Sequence, residues 1–268
     1  MPLSKIASDW LAADEAAVLV EVSEAQGSVP RGPGTRMLVS LRQAAGTIGG
    51  GHLELKAMAL AREMLAIGDN AIRSLHLPLG PALGQCCGGA VTLRLELLQE
   101  HHVSAWPVVA TLFNLQLYGA GHVGRAIARL LATLPVKVAW VDEREEEFPT
   151  TLGEAAWPAH IRRVLGDGVE GEVRHAPPGA FYLVLTHEHD LDLRITENIL
   201  RRGDFGFLGL IGSHTKKQKF IRRFQERGIP AALIDRITCP IGLPGITGKA
   251  PEVIAVAVVA QLLHHAKR

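Results

Sequence analysis

The hexapeptide GAGHVG, from Gly119 to Gly124, constrains the fold of this chain more than any other stretch of its sequence. It follows the strand-like run LQLY and opens an amphipathic helical pattern. A GxGxxG segment between a strand and a helix is typical of βαβ units that bind nucleotides. In such units the first glycine permits a tight turn, the second lets the backbone approach a phosphate, and the third lets helix and strand pack closely. We therefore predict a Rossmann-like fold around this turn.

The second half of the chain continues this alternation of strands and helices. Further strands are predicted over residues 136–142, 181–187 and 205–212, and helices over residues 191–201, 216–227 and 251–264. Strands that alternate with helical patterns favour an α/β fold with a doubly wound parallel sheet. We assign this Rossmann-like domain to residues 113–268.

The same turn predicts a binding site. Asp142 ends the next strand-like run, 23 residues after Gly119, near the position where an acidic residue binds ribose in dinucleotide-binding units. The N-terminus of the helix also offers unpaired N–H groups to an anion. We predict that a nucleotide or phosphate group binds to Gly119, Gly121, His122, Gly124 and Asp142. The alternative is that the glycines serve packing only, and that the pocket binds another ligand or none.

Residues 1–99 predict a smaller α+β domain, with helical patterns over residues 3–13 and 53–67 and four strand-like runs. The segment QEHHVSAWP that follows has neither helical nor strand periodicity and ends in proline. We therefore predict a linker over residues 100–112.

Composition and charge argue against several classes of protein. Apolar residues make up 47% of the 268 residues, and the formal charge of +1 provides no basic field for nucleic acid. The longest apolar stretch, residues 253–263, is about half a membrane span. The first ten residues lack the charged and apolar regions of a secretory signal. We expect a cytoplasmic protein that binds neither nucleic acid nor membranes.

Two more segments of the second half follow predicted strands. In IGSHTKK, Gly212 and Ser213 precede a lysine-rich helix and are candidates to hold a phosphate, with Ser213 as an ordinary N-cap the alternative. In THEHD, residues 187–190 follow a strand at the edge where such sheets bind ligands. Adjacent side chains on one loop make a poor complete metal shell, so we expect either polar contact with a ligand or partner, or a solvated loop.

A run of three glycines, Gly49, Gly50 and Gly51, lies between a strand and a helix in GTIGGGHLE. Such a run costs conformational entropy on folding, so we expect close approach of the backbone to a ligand or to another backbone. His52 and Glu54 lie in the first turn of the helix, where Glu54 would also interact favourably with the helix dipole.

The loop LGQCCGG contains two adjacent cysteines, Cys86 and Cys87, after Gln85. A disulfide between adjacent cysteines is strained, and a tetrahedral zinc site would need a second cluster of ligands. A thiolate on an open glycine-rich loop suits a soft metal, persulfide chemistry or redox chemistry. The alternative is that both side chains are buried and only pack. Cys239 is interpreted as a core or turn cysteine.

These motifs together resemble the XdhC/CoxI family, whose members are accessory proteins for molybdenum hydroxylases. The resemblance extends from about residue 17 to residue 263 and is closest to the XdhC branch, which serves xanthine dehydrogenase. His52 stands where the branch similar to carbon monoxide dehydrogenase accessory proteins often has a cysteine. The motifs that carry the resemblance, in order, are GSVPRGPGTRMLV, GTIGGGHLE, LGPALGQCCGG, YGAGHVGRAIA, THEHDLD, GLIGSHTKK and CPIGLPGITGKAPEVIAVAV.

The resemblance implies a carrier of the molybdenum cofactor (molybdopterin form) and not an enzyme. Such a protein binds and protects the cofactor while a cysteine desulfurase supplies its sulfido ligand. It then delivers the cofactor to the molybdenum-binding subunit of xanthine dehydrogenase, and a homodimer is expected. By the same resemblance, Cys86 is our candidate for the contact with molybdenum or its sulfur, with Gln85 and Cys87 beside it. The GAGHVG turn would hold the phosphate of the cofactor, or a nucleotide.

Two other hypotheses remain open from the residues alone. The chain could be an NAD(P)-dependent oxidoreductase with redox-active cysteines, supported by the glycine fingerprint and Asp142. It could also be a redox-sensing regulator, which would bind partners in a nucleotide-dependent way and carry no cargo.

Overall fold

The computed structural model describes residues 3–79, 88–107 and 110–266. The chain divides into two compact units, Met1–Val108 and Val109–Arg268. In each unit a β-sheet carries helices and hydrophobic cores of its own.

The first unit is built on an antiparallel sheet of the strands β1 (Ala17–Gln26), β2 (Arg36–Ser40), β3 (Ala44–Gly46), β4 (Arg73–Pro78) and β5 (Ala90–Leu97). The described strands lie in the order β3-β2-β1-β5-β4. Its helices are α1 (Leu3–Ala12), α2 (Gly51–Ile67) and α3 (Glu100–Ser104).

Alternation along β1 places the two cores of this unit on opposite faces of the sheet. Val18 and Val20 share one core with Leu53 and Met64 of α2. Leu19 belongs to a second core with Ala7 and Trp10 of α1. Because successive side chains of a strand point to opposite faces, helices cover both faces of the central strand.

The segment predicted as an irregular linker contains the short helix α3. The helix is capped by a hydrogen bond from the backbone N–H of Gln99 to Nδ1 of His102 at 3.0 Å. Gln and His are not the residue types from which a capping box is usually predicted. Trp106 packs against the core that contains Leu98, and the Arg36 guanidinium lies 4.8 Å from the centre of its ring. The lack of hydrophobic periodicity in this segment therefore did not predict the helix.

The second unit is an α/β structure with a parallel sheet of the strands β6 (Asn114–Tyr118), β7 (Lys137–Asp142), β8 (Ile161–Leu165), β9 (Phe181–Val184), β10 (Phe207–Leu210) and β11 (Ile237–Thr238). These six described strands lie in the order β11-β10-β9-β6-β7-β8. Its helices are α4 (His122–Leu131), α5 (His189–Arg202), α6 (His214–Glu226), α7 (Ala231–Ile234) and α8 (Pro251–Ala266). The predicted fold class, a Rossmann-like parallel sheet after a smaller α+β domain, is confirmed.

The order of the strands reverses between β6 and β9. From β6 the chain adds β7 and β8 on one side, then crosses over through a 3-10 segment, Val169–His175, to add β9, β10 and β11 on the other. This is the classical Rossmann order, which binds ligands outside the carboxyl ends of the strands at the point of reversal. The turns that follow β6, β9 and β10 lie at this edge of the sheet.

Three short strands were not predicted from the sequence. β8 lies at the edge of its sheet with Arg162 and Arg163 exposed, so its pattern is not that of a buried strand. β11 has two residues and β3 has three, which is too short for a periodic pattern to be detected.

Candidate functional site

The glycine turn after β6 has the geometry that its sequence predicts. Gly119 has φ +118°, and a Cβ atom there would lie 2.3 Å from the carbonyl oxygen of Leu185. A Cβ atom on Gly124 would lie 2.0 Å from the carbonyl oxygen of Gly119. Gly121 has nothing within 4 Å of the corresponding position. Gly119 and Gly124 thus allow backbone segments to pack closely, whereas Gly121 leaves open space in front of the helix.

That open space lies at the N-terminus of α4. Gly121 is the N-cap residue, and no side chain accepts a hydrogen bond from the first turn. His122 is the first residue of the helix and is exposed. The first N–H groups of a helix have no partner within it, so this end of α4 can bind an anion.

Asp142 anchors the turn from the end of β7. One of its carboxylate oxygens accepts hydrogen bonds from the backbone N–H of Ala120 at 2.6 Å and from Nη2 of Arg144 at 3.0 Å. The other accepts from the backbone N–H and Nε of Arg144, both at 3.0 Å. A carboxylate has about four acceptor directions, and all of them are used. A ribose hydroxyl would have to displace Arg144 to bind here.

The same contacts determine the charge of this carboxyl group. Burial of Asp142 would by itself raise its pKa, but the hydrogen bonds from Arg144 and Ala120 and the charge of Arg144 hold the pKa below its ordinary value. Asp142 is therefore ionised at neutral pH and forms an ion pair with Arg144.

A polar pocket lies beside this turn, at the carboxyl ends of β9 and β10. Its cavity volume is about 280 Å³. The lining residues come from the two segments that the sequence singled out, THEHD and IGSHTKK, and from the helices that follow them: Thr186, His187, His189, Asp192, Ile211, Gly212, Ser213 and Lys216.

An ion pair between Asp192 and Lys216 forms the wall of this pocket. Nζ of Lys216 lies 2.5 Å from one carboxylate oxygen of Asp192 and donates to the carbonyl oxygen of Ile211 at 2.9 Å. The other oxygen of Asp192 accepts from the backbone N–H of Thr186 at 3.0 Å and from its hydroxyl at 2.7 Å. The side chain of Asp192 is 1% exposed and that of Lys216 is 11% exposed.

The structure gives Gly212 and Ser213 defined roles in the fold. Ser213 is the N-cap of α6, and its hydroxyl accepts a hydrogen bond from the backbone N–H of Lys216 at 3.3 Å. Gly212 has φ +153°, and a Cβ atom there would lie 2.6 Å from Cδ of Lys216. Glycine therefore lets the lysine side chain fold back over the turn towards Asp192, and the predicted phosphate contact of both residues stays a prediction.

The THEHD segment contributes two histidines to the pocket, His187 and His189, both exposed. Asp190 instead faces Arg223 at 3.5 Å. Across residues 3–79, 88–107 and 110–266, no group of three or more His, Cys, Asp or Glu side chains is placed to hold a metal ion.

Sequence analysis missed Asp192, Lys216 and Arg144. Asp192 lies between Leu191 and Leu193 on the buried part of α5, and an acidic residue within such a run was a signal that could have been used. Nothing in the sequence indicates that Lys216 reaches back across Gly212, because that contact depends on how α5 and α6 pack.

In the first unit, Glu54 organises the triple-glycine loop. One of its carboxylate oxygens accepts hydrogen bonds from the hydroxyl of Thr47 at 2.5 Å and from the backbone N–H groups of Ile48 at 3.0 Å and Gly50 at 2.8 Å. Burial would raise the pKa of Glu54, but these hydrogen bonds lower it. A Cβ atom on Gly49 would lie 2.5 Å from Cγ of Pro30, so here the close approach is to a neighbouring loop.

The other members of this loop leave space for a ligand. Gly50 has nothing within 4 Å of its Cβ position, and Gly51 starts α2 with φ +64°. His52 is exposed in the first turn of α2. Ligand binding by these residues stays a prediction.

The cysteine loop can be described only at its end. Gln85, Cys86 and Cys87 lie outside the described residues. A Cβ atom on Gly89 would lie 2.3 Å from the carbonyl oxygen of Gln26 and 2.5 Å from that of Ser28. The start of β5 therefore packs tightly on the end of β1.

Cys239 lies at the end of β11 and is 6% exposed. Its thiol is 3.8 Å from the carbonyl oxygen of Ser213, and burial raises its pKa. It lines a cavity of about 610 Å³ with Lys217, Gln261 and apolar residues of the segment before α8. A buried thiol with a raised pKa fits the core or turn role predicted for it.

Comparison with known sequences identifies the family of this fold. The sequence profile of the XdhC Rossmann domain matches residues 115–262, and that of the XdhC and CoxI family matches residues 10–76. The chain belongs to the XdhC family. The family assignment made from the motifs is thereby confirmed.

One sequence and one solved structure are similar to this XdhC family member over most of its length. An uncharacterized Escherichia coli protein, YqeB, is 29% identical over 253 residues, which cover 91% of this chain and 42% of YqeB. The chain thus spans about two fifths of the length of that relative. A crystal structure described as a xanthine dehydrogenase from Bacillus halodurans superposes with a TM-score of 0.77 at 18% identity, covering 100% of this chain and 96% of that one. At that identity the superposition supports the fold alone.

Among the described residues of this XdhC family member, the helices are all too short or too polar to cross a lipid bilayer.

We predict that Gly124→Ala destabilises the second unit while Gly121→Ala does not. The new methyl group of Gly124→Ala meets the carbonyl oxygen of Gly119, whereas that of Gly121→Ala meets no atom within 4 Å. Urea unfolding followed by circular dichroism should give a loss of about 3 kcal/mol for Gly124→Ala and a change within about 0.5 kcal/mol for Gly121→Ala. Equal stability of the two variants would contradict the packing role of Gly124.

We predict that Asp142→Asn makes the stability of the protein less dependent on acid pH. Because the pKa of Asp142 is lowered in the folded state, its contribution is fully present above the ordinary aspartate pKa of about 4 and is lost as the pH falls below that value. The free energy of unfolding of the variant should be about 1–3 kcal/mol lower at pH 7. It should also fall less steeply than that of wild type as the pH is lowered below about 4. Glu154→Gln, at an exposed residue, is the control. If the free energy of unfolding fell as steeply with acid in Asp142→Asn as in wild type, the stabilising role of the ionised Asp142 would be refuted.

Proposed function

We propose that this protein binds the molybdenum cofactor as cargo, protects it during sulfuration and delivers it to xanthine dehydrogenase. Membership of the XdhC family suggests an accessory role towards xanthine dehydrogenase, and members with that role are generally not catalytic. The nature of the cargo and its delivery are our inference. The observation that carries it is a family-type Rossmann unit whose strand reversal presents an open glycine turn.

The phosphate of the cofactor is the part that the second unit is suited to bind. Open space in front of Gly121 and the uncapped first turn of α4 together suit a phosphate group. Asp142 holds the backbone of the turn through Ala120 and keeps its own charge paired with Arg144. The turn is therefore preorganised, and little ordering would oppose the binding of a ligand.

The metal end of the cofactor needs a soft ligand. By the family resemblance we assign this role to Cys86, with Gln85 and Cys87 beside it, because a thiolate suits molybdenum and its sulfido ligand. Gly89, tightly packed on β1, fixes the point where this loop joins β5. The open loop around Gly50, which Glu54 organises, is a second candidate contact in the same unit.

Delivery requires a reversible grip. Several modest contacts suit transfer better than one very tight cage, since differences in affinity between carrier and acceptor set its direction. We propose the molybdenum-binding subunit of xanthine dehydrogenase as the acceptor, a cysteine desulfurase as the sulfur source, and a homodimer as the working form.

The alternative of an NAD(P)-dependent oxidoreductase is less well supported in its NAD-dependent form. NAD requires an acceptor for ribose hydroxyls at the end of β7, and all four acceptor directions of Asp142 are already used by Ala120 and Arg144. A carrier that binds only a terminal phosphate at this turn has no such requirement.

Equilibrium binding of the molybdenum cofactor to purified protein under anaerobic conditions tests the proposal. We predict saturable binding of about one cofactor per chain, weakened at least about tenfold by Cys86→Ala, since a lost ligand bond exceeds the 1.4 kcal/mol that corresponds to tenfold. Cys239→Ala is the matched control, because Cys239 is buried and engaged within the second unit. It should bind the cofactor as wild type does.

Failure of the wild-type protein to bind the cofactor would overturn the proposed cargo. Loss of binding in Cys87→Ala but not in Cys86→Ala would keep the cargo and reverse the assignment of the two cysteines. Oxidation of NADH with a panel of small carbonyl compounds would support the oxidoreductase instead.

A further inference from the structure

The pocket at the ends of β9 and β10 contains a charged group that the proposed function does not use. Lys216 is largely buried, and its ammonium group lies beside a cavity of about 280 Å³. Asp192, its partner, is almost completely buried. Removing two charges from water costs several kcal/mol per ion, so such a pair is weak evidence for stability and calls for another explanation.

The hydrogen bonds of the pair leave donor capacity on the lysine. An ammonium group has three N–H donors, and in the structure Nζ of Lys216 donates to Asp192 and to the carbonyl oxygen of Ile211. Both oxygens of Asp192 accept hydrogen bonds, one from Lys216 and the other from Thr186. The charge of Asp192 is thus compensated. The third N–H of Lys216, whose Nζ lies 5.5 Å from the centre of the Phe220 ring, has no hydrogen-bond acceptor among the described residues and can donate to a ligand.

The surroundings of the pocket add further positive potential. Two long helices begin next to it, α5 at His189 and α6 at His214, and α5 has no side-chain cap. His187 and His189 lie on its rim and supply imidazole donors. The acidic groups nearby are Glu188, which is exposed, and Asp190, which pairs with Arg223. The cavity is therefore lined by one ammonium group and two imidazoles, and its buried carboxylate, Asp192, is already paired.

We propose that this pocket binds a tetrahedral oxyanion of the phosphate class, held by Lys216 and by His189 at the rim. Ammonium and imidazole donors form short, charge-assisted hydrogen bonds with such an anion. The arrangement accounts for the buried ion pair: Asp192 and Thr186 hold the lysine in place, and Gly212 lets its side chain fold back. The site is separate from the turn at Gly121 and does not depend on the identity of the cargo.

Titration calorimetry of the full-length protein with inorganic phosphate tests the proposal. Because the α4 turn is also proposed to bind phosphate, the affinities are compared in proteins that carry Gly121→Asp in addition, which blocks that turn. The main variant is the pair Lys216→Met with Asp192→Asn, which removes both charges and leaves no unpaired ion in the wall. It should bind phosphate at least about tenfold more weakly than wild type, as expected for loss of a charge-assisted bond. Lys219→Met, at an exposed lysine of the same helix, is the matched control and should bind as wild type does.

A second variant keeps the test valid if the paired variant does not fold. His189→Ala changes an exposed residue and should weaken phosphate binding by about threefold, as expected for loss of one hydrogen bond. Unchanged binding in a folded Lys216→Met/Asp192→Asn variant, or in His189→Ala, would overturn the proposal. So would complete loss of phosphate binding in Gly121→Asp alone, which would place the anion at the α4 turn only.

Phenyl phosphate distinguishes the two sources of the anion. If it binds with at least the affinity of inorganic phosphate, the pocket holds the phosphate group of a larger molecule. If only inorganic phosphate binds, the ligand is the free ion. Either result, with the loss in the paired variant, supports the site, whereas absence of binding of both to wild type contradicts it.

Discussion

The contact between Gly124 of α4 and the carbonyl oxygen of Gly119 is the constraint on which the site depends. No residue with a Cβ atom fits at position 124 without moving backbone, so the approach of α4 to β6 is as close as two backbones allow. Because α4 starts at the end of the central strand β6, this contact also fixes where its N-terminus lies. The N-terminus of the helix is thereby held at the reversal of strand order, where Rossmann sheets bind their ligands.

The environment of Asp142 separates this unit from a typical NAD-binding site. The aspartate stands where the fingerprint expects it, yet its carboxylate is turned to Ala120 and Arg144. In this structure it stabilises the turn by accepting a hydrogen bond from the backbone N–H of Ala120. A protein that binds a phosphate end of its cargo, and not a ribose, can use the fold in this way.

Sequence patterns predicted the features that depend only on residues close to one another in the chain. The glycine spacing of residues 119–124 and the periodicity of the long strands and helices follow from backbone geometry, and they predicted the parallel sheet correctly. The two segments that line the pocket around Lys216 were singled out from the sequence, but the pairing of Asp192 with Lys216 was not predicted, since it depends on the packing of α5 against α6. The helix α3 was missed because its cap, from Gln99 and His102, is not a usual pair. The cysteine loop, which resemblance alone connects with molybdenum, lies outside the described residues.

Transfer of the cofactor tests the central claim most directly. The protein, loaded anaerobically with sulfurated molybdenum cofactor, would be mixed with cofactor-free xanthine dehydrogenase in the presence of a scavenger for free cofactor. The account predicts that xanthine oxidation activity recovers from the loaded protein, while the same amount of free cofactor is lost to the scavenger. Equal recovery, or equal failure, with and without the protein would contradict a carrier that protects and delivers its cargo.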